Sequence, residues 1–448
     1  MPSEELLNKS VYRAFYGRFT SLLPAQKDCI KPILNGYNVV LCSGTGSGKT
    51  EAVMAPLVSK HWDPSLADEK LFILYIAPTK ALANDLEKRL TFALNGLGIY
   101  VGIRHGDRDD LKKKKIPGIL ITTPESLEVM LLRSDKALQG IKAVVIDEVH
   151  LLYNTQRGLQ LSILLNRLKR FIQSDFQWTA LSATIGKPEH ISDFMFGNRE
   201  NCKYISYPSS REICSGIKLV NDVDDFAQLI YKLAENNKVK LLIFAKSRKA
   251  CENIIYSLKQ YQALKHCCFV HYSSLSHELR LDIEKKFASL DTAICVATST
   301  LELGIDIGDI NAAVLWDIPP NVESFLQRIG RSNRRTHKTN VICVVQKESN
   351  TAVLDTIHFL AQIDAAKKNE LAIKEPFELY GAVAQQLLAY IASRNGSFTK
   401  LGELHEICSH LPYLEKPCIE NILDSLVEQE FLQHHGFKKQ YEIGRAHV

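Results

Sequence analysis

Two short stretches carry the residue types best suited to chemistry. In SGTGSGKT, Ser43 to Thr50, glycines punctuate a turn that follows the apolar run VVLC from Val39. A glycine-rich turn between strand and helix aims backbone N–H groups and the helix dipole at phosphate oxygens. Lys49 would then reach the β- and γ-phosphates of ATP, and Thr50 would ligate Mg²⁺. Thr45, Gly46, Ser47 and Gly48 complete the cradle, with Ser43 standing where the usual pattern has glycine. In VVIDEVH, Val144 to His150, an apolar strand ends in two adjacent carboxylates, at the edge where open α/β sheets bind ligands. Asp147 would hold Mg²⁺, and Glu148 would polarise the water that attacks the γ-phosphate. Either stretch alone could be a structural turn or a loop start. Together they predict a nucleotide-hydrolysing site.

These residues need a scaffold, and hydrophobic period supplies one. Short β-rich runs start at Val39, Leu71, Gly118, Ala143 and Trp178, alternating with amphipathic stretches, the pattern of a parallel α/β sheet. After a polar bend at Tyr207 to Arg211 a second series starts at Lys240, Cys267, Thr292, Ala312 and Asn340. Two successive α/β domains are expected, over 1–206 and 207–369. Beyond about Glu370 three helical patterns follow, roughly Leu379 to Arg394, Leu401 to His410 and Cys418 to Gln429, then two small strands around Gly436. Helix, helix, helix, hairpin suggests a winged-helix-like module over 370–442. A helical cap packed on the second domain is the other possibility.

Composition bounds the rest. The 448 residues are 46% hydrophobic and 23% charged, enough apolar material for more than one core. A net charge of +5 does not by itself mark a nucleic-acid binder, so local distribution must decide. Eleven cysteines form no C-x-x-C pair, and none lies between Cys42 and Cys202, which excludes an iron–sulfur insertion there. The first apolar stretch is short and follows Glu4 and Glu5, unlike a secretory signal. No run approaches the roughly 18 apolar residues of a membrane span. A cytoplasmic location is expected.

With the two nucleotide motifs in place, the chain resembles the superfamily 2 helicases of the DEAD/DEAH type, and within them the large helicase-related (Lhr) group. The resemblance runs from about Phe19 to about Ile373, and more loosely through the helical tail. LLPAQ, ending in Gln26, is similar to the adenine-reading Q motif; APTKALAND from Ala77 to motif Ia; ITTPESL from Ile121 to motif Ib. DEVH is motif II, and SAT, Ser182, Ala183 and Thr184, resembles motif III. LIFAKSR from Leu242, ATSTLELGID from Ala297 and QRIGRSNR from Gln327 resemble motifs IV, V and VI. Longer matches point to the Lhr group: PTKALAND, ITTPESLEVML, IDEVHLL with the Arg157–Gly158 pair, and SSLSHELRLDIEKKF. Val149, where the group usually has isoleucine, is a one-methylene departure.

The resemblance implies two RecA-like domains that close on ATP and move along a bound strand. Gln26, Gly304 and Asp306 would help bind nucleotide, and Gln327, Arg331 and Arg334 would belong to the catalytic set. Arg331 and Arg334, three apart, can share one helical face and stabilise phosphoryl-transfer charge; a solvated basic face with Arg328, Arg335 and Lys338 is the bland reading. Ser182 and Thr184 would relay nucleotide state toward His150. Sequence-tolerant phosphate contacts are expected from Pro78, Thr79, Lys80, Arg104, Thr123, Pro124, Glu125, Ser247, Arg248, Thr298, Ser299 and Thr300. The run Lys112 to Lys115 reads as a solvated loop, and His105 as structural.

The expected activity is an ATP-dependent helicase or translocase, 3′ to 5′ on single-stranded DNA, acting on single-stranded or tailed duplex substrates in repair or recombination. DNA is favoured over RNA as partner. An RNA remodelling enzyme, or an ATP-switched binding or motor subunit, stays open. Relatives of this kind continue past the winged helix, so a C-terminally truncated fragment is expected. IGRAHV, Ile443 to Val448, resembles the translation of a common sequencing adapter, and 443–448 is expected to be a non-native tail.

Overall fold

The computed structural model describes residues 3–44, 47–66, 70–113, 115–183, 187–207, 212–235, 238–298, 310–332, 338–368, 379–394, 396–411, 414–435 and 440–444. The chain divides into two compact units. One combines Met1–Ser43, Ser47–Tyr207 and Ile373–Val448; the other contains Pro208–Ala372.

The first unit is built on β1 (Asn38–Ser43), β2 (Ile73–Ile76), β3 (Val101–His105), β4 (Arg108–Asp109), β5 (Ile119–Thr122), β6 (Ala143–Ile146), β7 (Gln177–Ser182) and β8 (Cys202–Tyr207). Their order is β4-β3-β5-β2-β6-β7-β1-β8, parallel except for the β3–β4 pair. A parallel sheet is covered by helices on both faces, so its central strands must be apolar at every position. On β1, Val39 and Leu41 enter the core beneath the helices Pro24–Leu34 and Lys49–His61, while Val40 and Cys42 enter the opposite core with the helix Gln156–Ile172. That uninterrupted burial is why VVLC and AVVI are visible as strands in the sequence.

The second unit has β9 (Glu212–Val220), β10 (Lys240–Phe244), β11 (Cys268–His271), β12 (Ala293–Ala297), β13 (Ala312–Leu315) and β14 (Lys338–Gln346), all parallel in the order β11-β12-β10-β13-β14-β9. Period does not announce β3, β4, β8 or β9. β4, β8 and β9 are edge strands and β3 lies beside an edge. Edge strands bury less and carry polar residues, as Lys203 and Lys218 do here, so their apolar signal is diluted.

The C-terminal segment folds as a helix (Tyr380–Ala392), β15 (Thr399–Lys400), two helices (Leu401–Cys408 and Lys416–Glu428), then β16 (Leu432–His435) and β17 (Gln440–Ile443), with antiparallel order β15-β17-β16. The three helices and the hairpin lie where the sequence puts them. Their placement groups the segment with the first unit, and its apolar residues complete that unit's core. Val383, Leu387, Leu404, Ile407 and Leu423 share one core with Leu127, Leu159, Leu164 and Phe194 of the first unit.

Polar groups fix that docking. Gln386 is fully buried; its amide donates to Glu128 at 2.7 Å and its carbonyl accepts from Arg167 at 3.0 Å. Asn166 donates to the carbonyls of Glu406 and Ile407 at 2.9 and 3.0 Å, satisfying acceptors that the end of a helix leaves open. Gly197, at φ +70°, lies so close to the segment that a Cβ would stand 1.6 Å from the His410 carbonyl oxygen. The Ser162 hydroxyl has the Phe194 and Met195 carbonyls to donate to, both at 3.0 Å, so it accepts from His410 Nε2–H at 2.8 Å. His410 Nδ1 is then a buried, unprotonated nitrogen.

Burial, with Lys169 adding to it, pushes the His410 imidazole down to about 4 from 6.5. A histidine kept neutral in the folded state loses stability as pH falls, because the unfolded chain takes up the proton first. The loss begins near pH 6.5, grows toward pH 4 and reaches up to roughly 3 kcal/mol for one such group. His61 is depressed to about 4 as well, mainly by burial, and contributes in the same window. We expect His410→Gln to flatten part of the fall in thermal stability between pH 6.5 and 4.5, read by circular dichroism melts. An unchanged pH slope would exclude His410 as a source.

Candidate nucleotide and nucleic-acid site

Strands β6, β7 and β1 are neighbours, so the residues following them share one edge of the first sheet. The helix Lys49–His61 begins directly after the glycine-rich turn, with Gly48 as its N-cap at φ +69°. A Cβ on Gly48 would lie 2.5 Å from Gln26 Nε2, so glycine is needed both for the backbone and for the approach of Gln26. Gln26 is itself buried, its Oε1 accepting from Leu23 N–H at 2.9 Å. The expected adenine reader and phosphate cradle are therefore in contact. Lys49 donates from Nζ to the Ser43 carbonyl at 2.7 Å, and Lys49 and Thr50 are both buried.

Asp147 lies in the same edge, 5% exposed. Its Oδ1 accepts the Glu148 N–H at 2.9 Å and its Oδ2 accepts the Tyr75 hydroxyl at 2.8 Å. Burial, reinforced by the Glu148 charge, pushes the Asp147 carboxyl above the usual carboxylate range. An added cation would favour its ionised form. Thr50 and Asp147 offer the hard oxygen donors that Mg²⁺ takes, in the small number it accepts from protein when phosphates supply the rest. Glu148 holds φ at +43°, a left-handed conformation uncommon outside glycine that concentrates at functional sites. His150 Nδ1 stands 3.1 Å from Ser182 Oγ and 3.4 Å from the Glu148 carboxylate. The expected listener and relay residue thus touch, with Ala183 next along the chain.

Loops after β2 and β5 present the other candidates of this unit. Thr79 caps the helix Lys80–Leu94 by accepting from Leu82 N–H at 3.3 Å, and Lys80 pairs with Asp107 at 2.8 Å. Thr123 and Pro124 open the helix Pro124–Leu132, and Glu125 pairs with Arg157 at 2.7 Å. Arg157 also donates to the Pro78 carbonyl at 2.9 Å, bridging the two loops. Arg104, expected as a phosphate contact, is buried, and its guanidinium pairs with Asp135 at 2.8 Å and Asp109 at 3.8 Å. His105 is held by Asn84 at 3.2 Å, and Lys113 by Asp110 at 2.8 Å.

In the second unit Ser247 caps the helix Arg248–Leu258, Arg248 pairs with Glu252 at 2.8 Å, and Thr298 N–H donates to the His271 carbonyl at 3.2 Å. Gln327, Arg328 and Arg331 are all buried. The helix Val322–Ile329 ends at Gly330, so Arg331 lies beyond it, next to a parallel bridge between Ile310 and Ser332, while Arg334, the other member of the expected helical face, is outside the described residues. Thr45, Gly46, Thr184, Ser299, Thr300, Gly304, Asp306 and Arg334 lie outside the described residues.

Two further residues serve this edge. Arg157 is visible in the sequence only as half of an Arg–Gly pair, because its bridge joins partners 79 and 32 positions away. Tyr75 is the one phenol in the apolar run LFILYIA, and a buried phenol needs a hydrogen-bond partner. That signal was available.

Comparison with known proteins agrees with this geometry. A DEAD/DEAH box helicase model matches residues 23–191, and a helicase conserved C-terminal domain model matches residues 223–336. The ATP-dependent helicase Lhr-Core of Methanocaldococcus jannaschii is 37% identical over 368 residues, covering 75% of this chain and 43% of that protein. Lhr-Core of Sulfolobus acidocaldarius is 32% identical over 413 residues, covering 84% and 47%. The chain thus spans less than half the length of these curated relatives. Among solved structures, Mycobacterium smegmatis helicase Lhr bound to ssDNA and AMP-PNP superposes with a TM-score of 0.84 at 25% identity, over 99% of this chain and 61% of that one. The DUF1998 helicase MrfA bound to DNA has the same fold, with a TM-score of 0.78 at 23% identity over 100% of this chain and 60% of that one. Motif order, both domain models and the Lhr-Core similarity agree, and the chain belongs to the DEAD/DEAH-box helicases of the Lhr group.

Proposed function

We propose that this chain is an ATP-driven motor that translocates 3′ to 5′ on single-stranded DNA and serves DNA repair or recombination. The observation that carries the reading is the meeting of Lys49, Thr50, Asp147 and Glu148 at one sheet edge, with phosphate-gripping helix N-termini on loops of the same sheet. Lys49 holds the β- and γ-phosphates of ATP, and Glu148 takes the proton of the attacking water. Mg²⁺, held by Thr50 and Asp147, would neutralise charge on the phosphate oxygens. Arg331, with Arg334, supplies positive charge for the transition state. Ser182 reports nucleotide state through His150.

DNA is favoured over RNA because the Lhr helicase of Mycobacterium smegmatis, similar along nearly the whole chain, is bound to ssDNA. The C-terminal segment has the element order of a winged helix, and we assign it that fold. Because it shares a core with the first unit, it travels with the ATP-binding domain. Eleven free cysteines fit the reducing cytoplasm. Arg104 is assigned a positioning role for the residues following β3, in place of a phosphate contact.

The deciding measurement is ATP turnover with and without single-stranded DNA or RNA. Stimulation by DNA above RNA is expected, and no stimulation by either would overturn the reading. Tailed duplexes test direction: opening from a 3′ tail is expected, and preference for a 5′ tail would reverse the polarity. Lys49→Ala should abolish turnover. Glu148→Gln should retain binding of a fluorescent ATP analogue and lower kcat by at least ~10²-fold, the usual size of a general-base contribution. Wild-type turnover in that variant would remove Glu148 from the role of base.

Arg157→Ala gives an independent check on the nucleic-acid loops, since Arg157 lies outside the phosphate cradle. Its loss frees the Pro78 and Glu125 loops from each other, so single-stranded DNA affinity should fall roughly tenfold, the ~1.4 kcal/mol scale of a charge-assisted hydrogen bond. Nucleotide affinity should stay within about twofold of wild type. Fluorescence anisotropy with labelled DNA reads the first quantity, and equal loss of both affinities would indicate general disruption.

A further inference from the structure

Tyr75 is fully buried in the middle of β2, between Leu74 and Ile76, where an aliphatic residue would serve packing equally well. Its hydroxyl nevertheless reaches Asp147 Oδ2 at 2.8 Å. A phenol has one proton, and here that proton is given to the Asp147 carboxylate.

This bond settles the orientation of Asp147, one of the two residues offered to Mg²⁺. Asp147 Oδ1 is engaged by Glu148 N–H at 2.9 Å and Oδ2 by Tyr75, so the carboxylate plane is fixed at both oxygens. We propose that Tyr75 is a positioning residue for the Mg²⁺ site: its phenol holds the Asp147 carboxylate in the orientation that accepts the ion. It touches neither nucleotide nor water in this role.

β2 also continues into the loop assigned to nucleic acid. Ile76 carbonyl accepts Asp147 N–H at 2.9 Å, Ala77 N–H donates to Thr122 at 2.8 Å, and Pro78 is held by Arg157 at 2.9 Å. The strand that positions Asp147 is therefore the strand that carries the Thr79–Lys80 loop three residues on.

The proposal rests on the nucleotide-site reading above, and one experiment separates the two. A fluorescent ADP analogue is titrated onto the 448-residue chain in EDTA and at a series of Mg²⁺ concentrations, for wild type, Tyr75→Phe and Tyr75→Leu, with thermal melts as the folding control. For Tyr75→Phe we expect affinity in EDTA within twofold of wild type, and a Mg²⁺ midpoint about tenfold higher. Tyr75→Leu, which also lacks the hydroxyl, should shift the midpoint in the same direction and provides the test if the phenylalanine variant does not fold. An unchanged Mg²⁺ midpoint in a folded variant, or equal loss of affinity with and without Mg²⁺, would overturn the positioning role alone. Absence of any Mg²⁺-dependent binding in wild type would overturn both this role and the nucleotide-site reading.

Discussion

A carboxylate removed from water must be balanced by hydrogen bonds or by positive charge, and Asp147 stands under that constraint. It lies at the end of a strand buried on both faces, with Tyr75 and the Glu148 N–H as donors and Lys49 as the nearby cation. Two consequences follow. β2 carries a phenol where packing alone would ask for an aliphatic side chain. The turn after β6 folds back sharply enough to bring the Glu148 N–H onto Asp147, with Glu148 in the left-handed region.

The parallel sheet makes that arrangement possible. Parallel strands end on the same side, so residues dozens of positions apart in the chain arrive together at one edge. Gln26 meets Gly48, His150 meets Ser182, and Arg157 ties the loop after β2 to the loop after β5. Covering both faces of the sheet is the cost of this geometry. On one face the covering includes the C-terminal helices, which complete a core begun by Leu127, Leu159 and Leu164.

That completion rests on polar groups as well as on apolar burial. Apolar burial alone is non-directional and would tolerate several orientations of the C-terminal segment. The Arg167–Gln386–Glu128 network and the Asn166 cap on the helix Leu401–Cys408 have directional requirements that fewer orientations satisfy. A single buried amide, Gln386, links the first unit's arginine to its glutamate, so the ionic and apolar parts of the interface depend on each other.

The amino-acid sequence by itself determined what depends on neighbours along the chain. Apolar runs of four to six residues define the central strands, because burial on both faces leaves no room for polar interruption. The phosphate cradle and the Asp147–Glu148 pair were legible because a strand followed by a turn is a local event. Tertiary structure alone decided what depends on partners distant in sequence. Nothing local to Arg104 announces Asp135 beside it, and nothing local to Arg331 announces that the helix stops at Gly330 and that Ser332 bridges to Ile310. The helical tail gives no sign in its own residues of which domain it will cover. An apolar stripe records that a face is buried, whereas the identity of the covering surface is fixed by shape and by long-range polar partners such as Arg167 and Glu128.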